Sequence, residues 1–144
     1  MTRAKYTNED VDLMARMMRA EAVGEGKLGM LFVGNVIVNR AVADCLDFTD
    51  VRTIRDVIFQ VQGENYAFEA VQIGSLFYKR ARPIEKRLAR MNLQYWRQHP
   101  AKYALWYFNP YAPCPQTWYG QPFTGRYKNH CFYEPEAGTC PSVY

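Results

Sequence analysis

No run of apolar residues in this sequence approaches membrane-spanning length, so a helical membrane span is not expected. The opening, Met1-Thr2-Arg3-Ala4-Lys5-Tyr6, has no apolar segment and leads straight into a polar helix start. No secretory signal is visible, and the expectation is a protein made in the cytoplasm that reaches any later location without that export route. Histidine is scarce, with only His99 and His130 present, so a multi-histidine zinc site is poorly supplied. No C-x-x-C pair occurs, which argues against a redox motif or a zinc ribbon. The acidic D-x-[DN]-x-[DN]-G pattern of a calcium loop is missing as well. No motif requires a metal or cofactor, and no internal repeat or low-complexity segment stands out.

What is present fits one globular domain over residues 1–144, with 49% hydrophobic and 22% charged residues. That length buries a real core without staples. The four cysteines, Cys45, Cys114, Cys131 and Cys140, leave several states open. Free thiols are the cytosolic default, and an oxidising location would allow three pairings. A metal set of Cys114, His130, Cys131 and Cys140 is conceivable but matches no standard zinc spacing. Charge is uneven: residues 1–70 carry 8 basic and 11 acidic side chains, and residues 71–144 carry 10 basic and 3 acidic. The basic half either faces an anionic polymer or is a solvated helix face. Its basic residues are not clearly interleaved with base-stacking aromatics, so nucleic acid is not the expected partner.

Along the chain, Thr7-Asn8-Glu9-Asp10 carries a capping signature and predicts a helix from about Asn8 to Ala22, ended by Gly24. The run Met30 to Arg40 is apolar nearly all round and long enough to favour a buried central helix over a strand. Gly34 would admit a neighbouring helix, and Asn35 and Asn39, four apart on one face, are expected to bond loop backbone. Asp44 to Val51 reads as a polar loop. Thr53-Ile54-Arg55-Asp56 repeats the capping signature before a short helix, Ile54 to Phe59, and residues 60–65 read as a loop. Gly74-Ser75 punctuates the next stretch. Pro83 opens a basic helix to about Arg97 with an inner stripe of Leu88, Met91 and Tyr95. Strands are expected at Tyr103–Phe108, Trp118–Gly120 and Arg126–Tyr133. The fold class is α+β: a helical lobe followed by a small antiparallel β lobe.

Glu21 stands apart in this pattern. Val11, Met14 and Met18 form one face of the first helix, and Glu21 continues it three residues on. Burial on that face would raise its pKa, and the negative end of the helix dipole acts the same way. A carboxyl group kept protonated near neutral pH is what a general acid requires. The alternative is a solvated or salt-bridged glutamate closing a helix. Glu25, between Gly24 and Gly26, reads as exposed. Glu69 is a further acid of interest. Residues 103–144 hold 12 of the 22 aromatics. They either pack a small sheet or line a groove for sugar rings, whose C–H faces stack on aromatic faces. That number exceeds what a small lobe readily buries, so several are expected in a cleft.

Ala20-Glu21-Ala22-Val23-Gly24-Glu25-Gly26, Val36-Ile37-Val38-Asn39-Arg40, Val57-Ile58-Phe59-Gln60, Ala67-Phe68-Glu69-Ala70-Val71, Trp106-Tyr107-Phe108-Asn109-Pro110, Trp118 and His130-Cys131-Phe132-Tyr133 occur in this order. Together they resemble bacterial cell-wall hydrolases of the SleB/CwlJ type over about residues 8–143, most closely the CwlJ branch of spore-cortex-lytic enzymes. The resemblance implies a lysozyme-like fold related to lytic transglycosylases. It also implies cleavage of the β-1,4 bond from N-acetylmuramic acid to N-acetylglucosamine in cortex peptidoglycan during germination. The glutamate opening the family's E-A-x-G-E motif is Glu21, which would be the general acid and then base. If water attacks, the reaction is that of a muramidase and a second carboxylate is needed, Glu25 or Glu69. Glu69 stands where the SleB pattern has an uncharged residue. Phe68, Tyr107, Asn109, Trp118 and His130 would hold sugar rings or N-acetyl groups. The resemblance further implies a spore-coat location at the cortex boundary, where disulfides are more plausible, a small coat-protein partner of the GerQ type and a response to calcium dipicolinate. Two rival readings are a wall amidase or peptidase, and a coat protein that binds glycan without cutting it. A Cys131–His130 dyad is disfavoured because neighbours on a strand point to opposite faces.

Overall fold

The computed structural model describes residues 2–74 and 76–144; Met1 and Ser75 lie outside the described residues, and with Ser75 half of the Gly74-Ser75 break. The chain runs α1 (Asn8–Glu21), α2 (Gly26–Ala43), α3 (Ile54–Ile58), β1 (Val61–Gln62), β2 (Asn65–Tyr66), α4 (Glu69–Ile73), α5 (Pro83–Gln94), β3 (Trp106–Phe108), β4 (Thr117–Trp118), β5 (Gln121–Tyr127) and β6 (His130–Tyr133). Both capping signatures form as reciprocal hydrogen bonds. The Asp10 N–H donates to Thr7 Oγ1 at 3.1 Å while Thr7 N–H donates to the Asp10 carboxylate at 2.9 Å, and Thr53 and Asp56 repeat the arrangement on α3.

Helix α2 is the buried axis of the helical lobe, with Leu31 through Ala41 buried on every side and α1, α3 and α5 packed around it. Gly34 admits α5: a Cβ there would come within 2.0 Å of the Asn92 side-chain oxygen. Asn92 uses that space to donate from Nδ2 to the Leu31 carbonyl at 2.9 Å. Asn35 and Asn39 are both fully buried. Asn39 Nδ2 reaches the carbonyls of Ala101, Lys102 and Ala104 at 3.2, 3.3 and 2.8 Å. Its Oδ1, together with that of Asn35, accepts from Arg3 at 2.6 and 3.0 Å. Burial, and then repulsion from Arg97, pushes Arg3 down to about 10.

The β lobe is a four-stranded antiparallel sheet in the order β3-β6-β5-β4. Tyr107 faces Phe132 across the β3–β6 pair, and Tyr127 faces His130 across β5–β6. Three expectations need correction. Residues 61–66 are a short hairpin turning at Gly63 rather than a loop. The single strand expected over Arg126–Tyr133 is split by a turn at Lys128, which has φ of 49°. Tyr95 is not on the inner stripe of α5: the helix stops at Gln94, so Tyr95 departs from it and is 64% exposed, while Leu88, Ala89, Asn92 and Leu93 face inward.

The cysteines are paired, Cys45 with Cys140 and Cys114 with Cys131. The first bond ties the segment after α2 to the C-terminal turn, and the second ties the β3–β4 connection to β6. Neither free thiols nor the conceivable Cys114, His130, Cys131 and Cys140 metal set describes this arrangement, since the sulfurs bond one another.

Two stability results follow. Asn39→Ala strands the buried Ala104 carbonyl and takes one of two donors from those of Ala101 and Lys102, and is expected to cost about 1–3 kcal/mol in urea unfolding. Replacing both Cys45 and Cys140 by serine opens a loop with a sequence separation of 95, against 17 for the other pair, and should destabilise more than the Cys114/Cys131 double replacement. Both losses should fall within about 2–5 kcal/mol in the same measurement.

Candidate active site

The stripe Val11, Met14, Met18 of α1 is closed to solvent, at 1% exposure or less, and packs the helix against the core. Glu21 prolongs it and is half-buried where α1 ends. Strand β3 brings Tyr107 to it: the tyrosine hydroxyl donates to Glu21 Oε1 at 2.6 Å. The position of Tyr107 is set by the segment before it. Arg40, the neighbour of Asn39 on α2, donates from Nε to the Leu105 carbonyl at 2.8 Å. The Arg40 guanidinium is sandwiched at 5.0 and 5.1 Å from the Phe48 and Phe68 rings.

The electrostatics around Glu21 pull in two directions. Desolvation by burial is the largest effect and raises its pKa. The Tyr107 hydrogen bond and the electrostatic influence of His130 and Arg40 oppose it, and the Glu69 carboxylate adds to it. The net direction is upward, towards a carboxyl that holds its proton above the ordinary glutamate range. Burial, then the charge of Glu21, raises the Tyr107 hydroxyl well above its usual value, so it stays a donor.

Glu25 is not exposed as its flanking glycines suggested; it is 4% exposed and folded under the β lobe. Its carboxylate accepts from the Asn129 N–H at 3.1 Å and meets His130 Nδ1 at 2.5 Å. Gly29 makes this possible, because a Cβ there would fall 2.5 Å from the Glu25 Cβ. His130 in turn stands edge-on to the Tyr107 ring, with centroids 5.1 Å apart at 89°. Glu25 and His130 therefore brace Tyr107 from behind. Neither carries the cleft face.

That face is a hollow of about 460 Å³ walled by Trp106, Tyr107, Trp118, Tyr119, Gln62 and Gln121, with Arg40 and Asp47 at its base and rim. Trp118 is fixed by stacking on Phe108 at 4.8 Å and 20°. Tyr119 is 88% exposed at the mouth. The expectation of aromatics in a cleft is met by these residues. Phe68 must be corrected: at 3% exposure it lies beneath Arg40 in the core, and packing, not a sugar ring, covers it. Asn109 is engaged in a turn, accepting from the Tyr111 N–H at 2.8 Å. Glu69 is exposed on the first turn of α4 and reaches Glu21 through its charge. Both charged residues of the cleft, Arg40 and Asp47, escaped the sequence reading. Arg40 ends an otherwise apolar run, and a cation at such a place is itself a signal. Asp47, one of several acids in a polar loop, gave none.

The Cell Wall Hydrolase family pattern matches residues 24–133. The chain belongs to that family. The hydrolase is 55% identical over its whole length to "Cell wall hydrolase CwlJ" of Bacillus subtilis (strain 168), covering 98% of that protein. It is 53% identical over its whole length to the protein of the same name from Oceanobacillus iheyensis, covering 99% of it. A "Spore cortex-lytic enzyme" of Bacillus subtilis is 31% identical over 90% of this chain, which spans 39% of that larger protein. In three dimensions the hydrolase resembles the catalytic domain of the germination-specific lytic transglycosylase SleB from Bacillus anthracis. The TM-score is 0.68 at 29% identity, over 90% of this chain and 97% of that one. The SleB catalytic domain of Bacillus cereus gives the same TM-score at 26% identity, covering 93% and 98%. The α+β architecture is thus the SleB catalytic fold.

The raised Glu21 carboxyl has a consequence for stability. The folded state holds its proton at pH values where the unfolded state has released it, so stability falls as pH rises from the ordinary glutamate value of 4.5 through the higher folded one. Glu21→Gln removes that loss. The variant should melt at a higher temperature than the parent at neutral pH, and at the same temperature below the ordinary glutamate range.

Proposed function

We propose that residues 1–144 form one catalytic unit that cleaves the β-1,4 bond between N-acetylmuramic acid and N-acetylglucosamine in spore-cortex peptidoglycan, with Glu21 as general acid and then base. The observation that carries this reading is the Glu21–Tyr107 pair: a half-buried carboxyl held by a tyrosine hydroxyl 2.6 Å away, beside a cleft walled by aromatic rings. The family membership and the likeness to a lytic transglycosylase catalytic domain support it.

In the proposed reaction the Glu21 carboxyl protonates the glycosidic oxygen as the bond to muramyl C1 breaks. Tyr107 holds the carboxylate so formed, and the buried Arg40 guanidinium favours its negative charge. The muramyl C6 hydroxyl then bonds to C1, and its proton passes to Glu21. The carboxyl is restored and a 1,6-anhydro end remains. One carboxyl suffices for this sequence, whereas hydrolysis by water uses two. Glu25 is a poor second carboxylate because Asn129 and His130 already engage it behind Tyr107. Trp118 and Tyr107 are placed to stack on sugar rings.

The relatives' names support a spore-associated setting and action during germination. A coat–cortex location, a GerQ-type coat-protein partner and a response to calcium dipicolinate belong to the same proposal. Disulfides as observed suit such a location better than a reducing cytoplasm.

Glu21→Gln should lower the rate of release from purified cortex sacculi by about 10²–10⁴-fold, the usual contribution of a positioned acid. Tyr107→Phe should lower it by less, with the variant still folded by circular dichroism. A Glu21→Gln variant that releases fragments at the parent rate would remove Glu21 from the mechanism. A binding-only coat protein would show no release from the parent either.

A further inference from the structure

Two hollows beyond the aromatic cleft are not used by the chemistry above. The first, about 470 Å³, begins at Ala22, the residue after Glu21, and is walled by Val23, Met30 and Leu76 up to Arg82. The second, about 540 Å³, lies between Arg80, Arg82, Lys86 and Arg90 at the start of α5. Arg82 lines both, so they adjoin through its side chain. Its own charge is engaged, since it donates from Nε and Nη2 to the buried Glu85 at 3.0 and 2.8 Å. Arg80 and Arg90 are exposed and, among the described residues, have no side-chain ion pair or hydrogen bond. Lys86 meets Asp12 only at 3.9 Å. No acid lines this hollow. The depression next to the aromatic cleft differs in sign, being lined by Asp47 and Asp50.

We infer that the hollow between Arg80, Lys86 and Arg90 is a substrate subsite that takes the carboxylates of peptidoglycan stem peptides while the glycan chain lies over Glu21. The assignment rests on the glycan-cleaving reading above. Its grounds are charge complementarity and the adjoining hollow, which runs from Ala22, the residue after Glu21, to Arg82. Stem peptides are the anionic groups that hang from the muramyl residues of this substrate. Cationic side chains on a solvated rim attract them over a Debye length of about 10 Å at 0.1 M salt.

Binding is measured by co-sedimentation in the Glu21→Gln background, so that nothing is cut. The triple variant Arg80→Gln, Lys86→Gln, Arg90→Gln is compared with its parent on sacculi bearing stems and on the same sacculi stripped of stems by an amidase. The parent should bind stem-bearing sacculi more tightly than stripped ones. The triple variant should lose about tenfold on stem-bearing sacculi and nothing on stripped ones. Added salt should abolish the difference between the two proteins. Arg90→Gln alone, at an exposed side chain without partners, should show the same trend should the triple variant melt early. Equal binding of the parent to stripped glycan, whether through sugar or through a phosphate polymer left on it, overturns the subsite. So does a triple variant that binds stem-bearing sacculi as the parent does. Cleavage by Glu21→Gln would instead defeat the catalytic reading, leaving the binding comparison intact.

Discussion

Four backbone carbonyls, those of Ala101, Lys102, Ala104 and Leu105, are held by two consecutive side chains of the buried helix α2, Asn39 and Arg40. This is the joint on which the molecule depends. The segment 101–105 has no regular structure of its own, and the buried carbonyls of Ala104 and Leu105 would be stranded without those donors. With them in place, β3 starts at a fixed point, and Tyr107 arrives within hydrogen-bonding distance of a carboxyl on a different helix. Arg40 serves the joint and the cleft at once, because its Nε fixes Leu105 while its guanidinium edge lines the hollow beside Tyr107.

A second device works from behind. Glu25 and His130 form a buried pair at the root of the β lobe, reached because Gly29 leaves room for it. The pair sets a rigid edge against the Tyr107 ring. The two glutamates of one short loop thus have separate tasks. Glu21 has one oxygen held by Tyr107 and, among the described residues, no hydrogen bond on the other, whereas both oxygens of Glu25 are engaged.

The helical lobe was legible because its signals are local. The two capping boxes, the all-apolar run of α2 and the place of Glu21 on the α1 stripe each depend on spacing within a few turns. Gly34 and Asn39 could be read as a close approach and a backbone anchor, although their partners, 58 and more residues away, could not. What escaped was long-range. Glu25 looked exposed because its burial is imposed by Asn129 and His130, over a hundred residues on. Phe68 looked available because nothing local says that Arg40 covers it. The cysteine pairing was undetermined, since composition cannot choose among pairings whose geometry is set by the packed chain. Tyr95 failed for a smaller reason: the helix expected to reach about Arg97 ends at Gln94, and the next side chain turns outward.

The account rests on one carboxyl acting with the substrate's own hydroxyl rather than with water. Digesting cortex sacculi in oxygen-18-labelled water and weighing the muropeptides tests this directly. The account predicts anhydro-muramyl ends that carry no label. Reducing ends labelled at muramyl C1 would contradict it and would require a second carboxylate in the cleft.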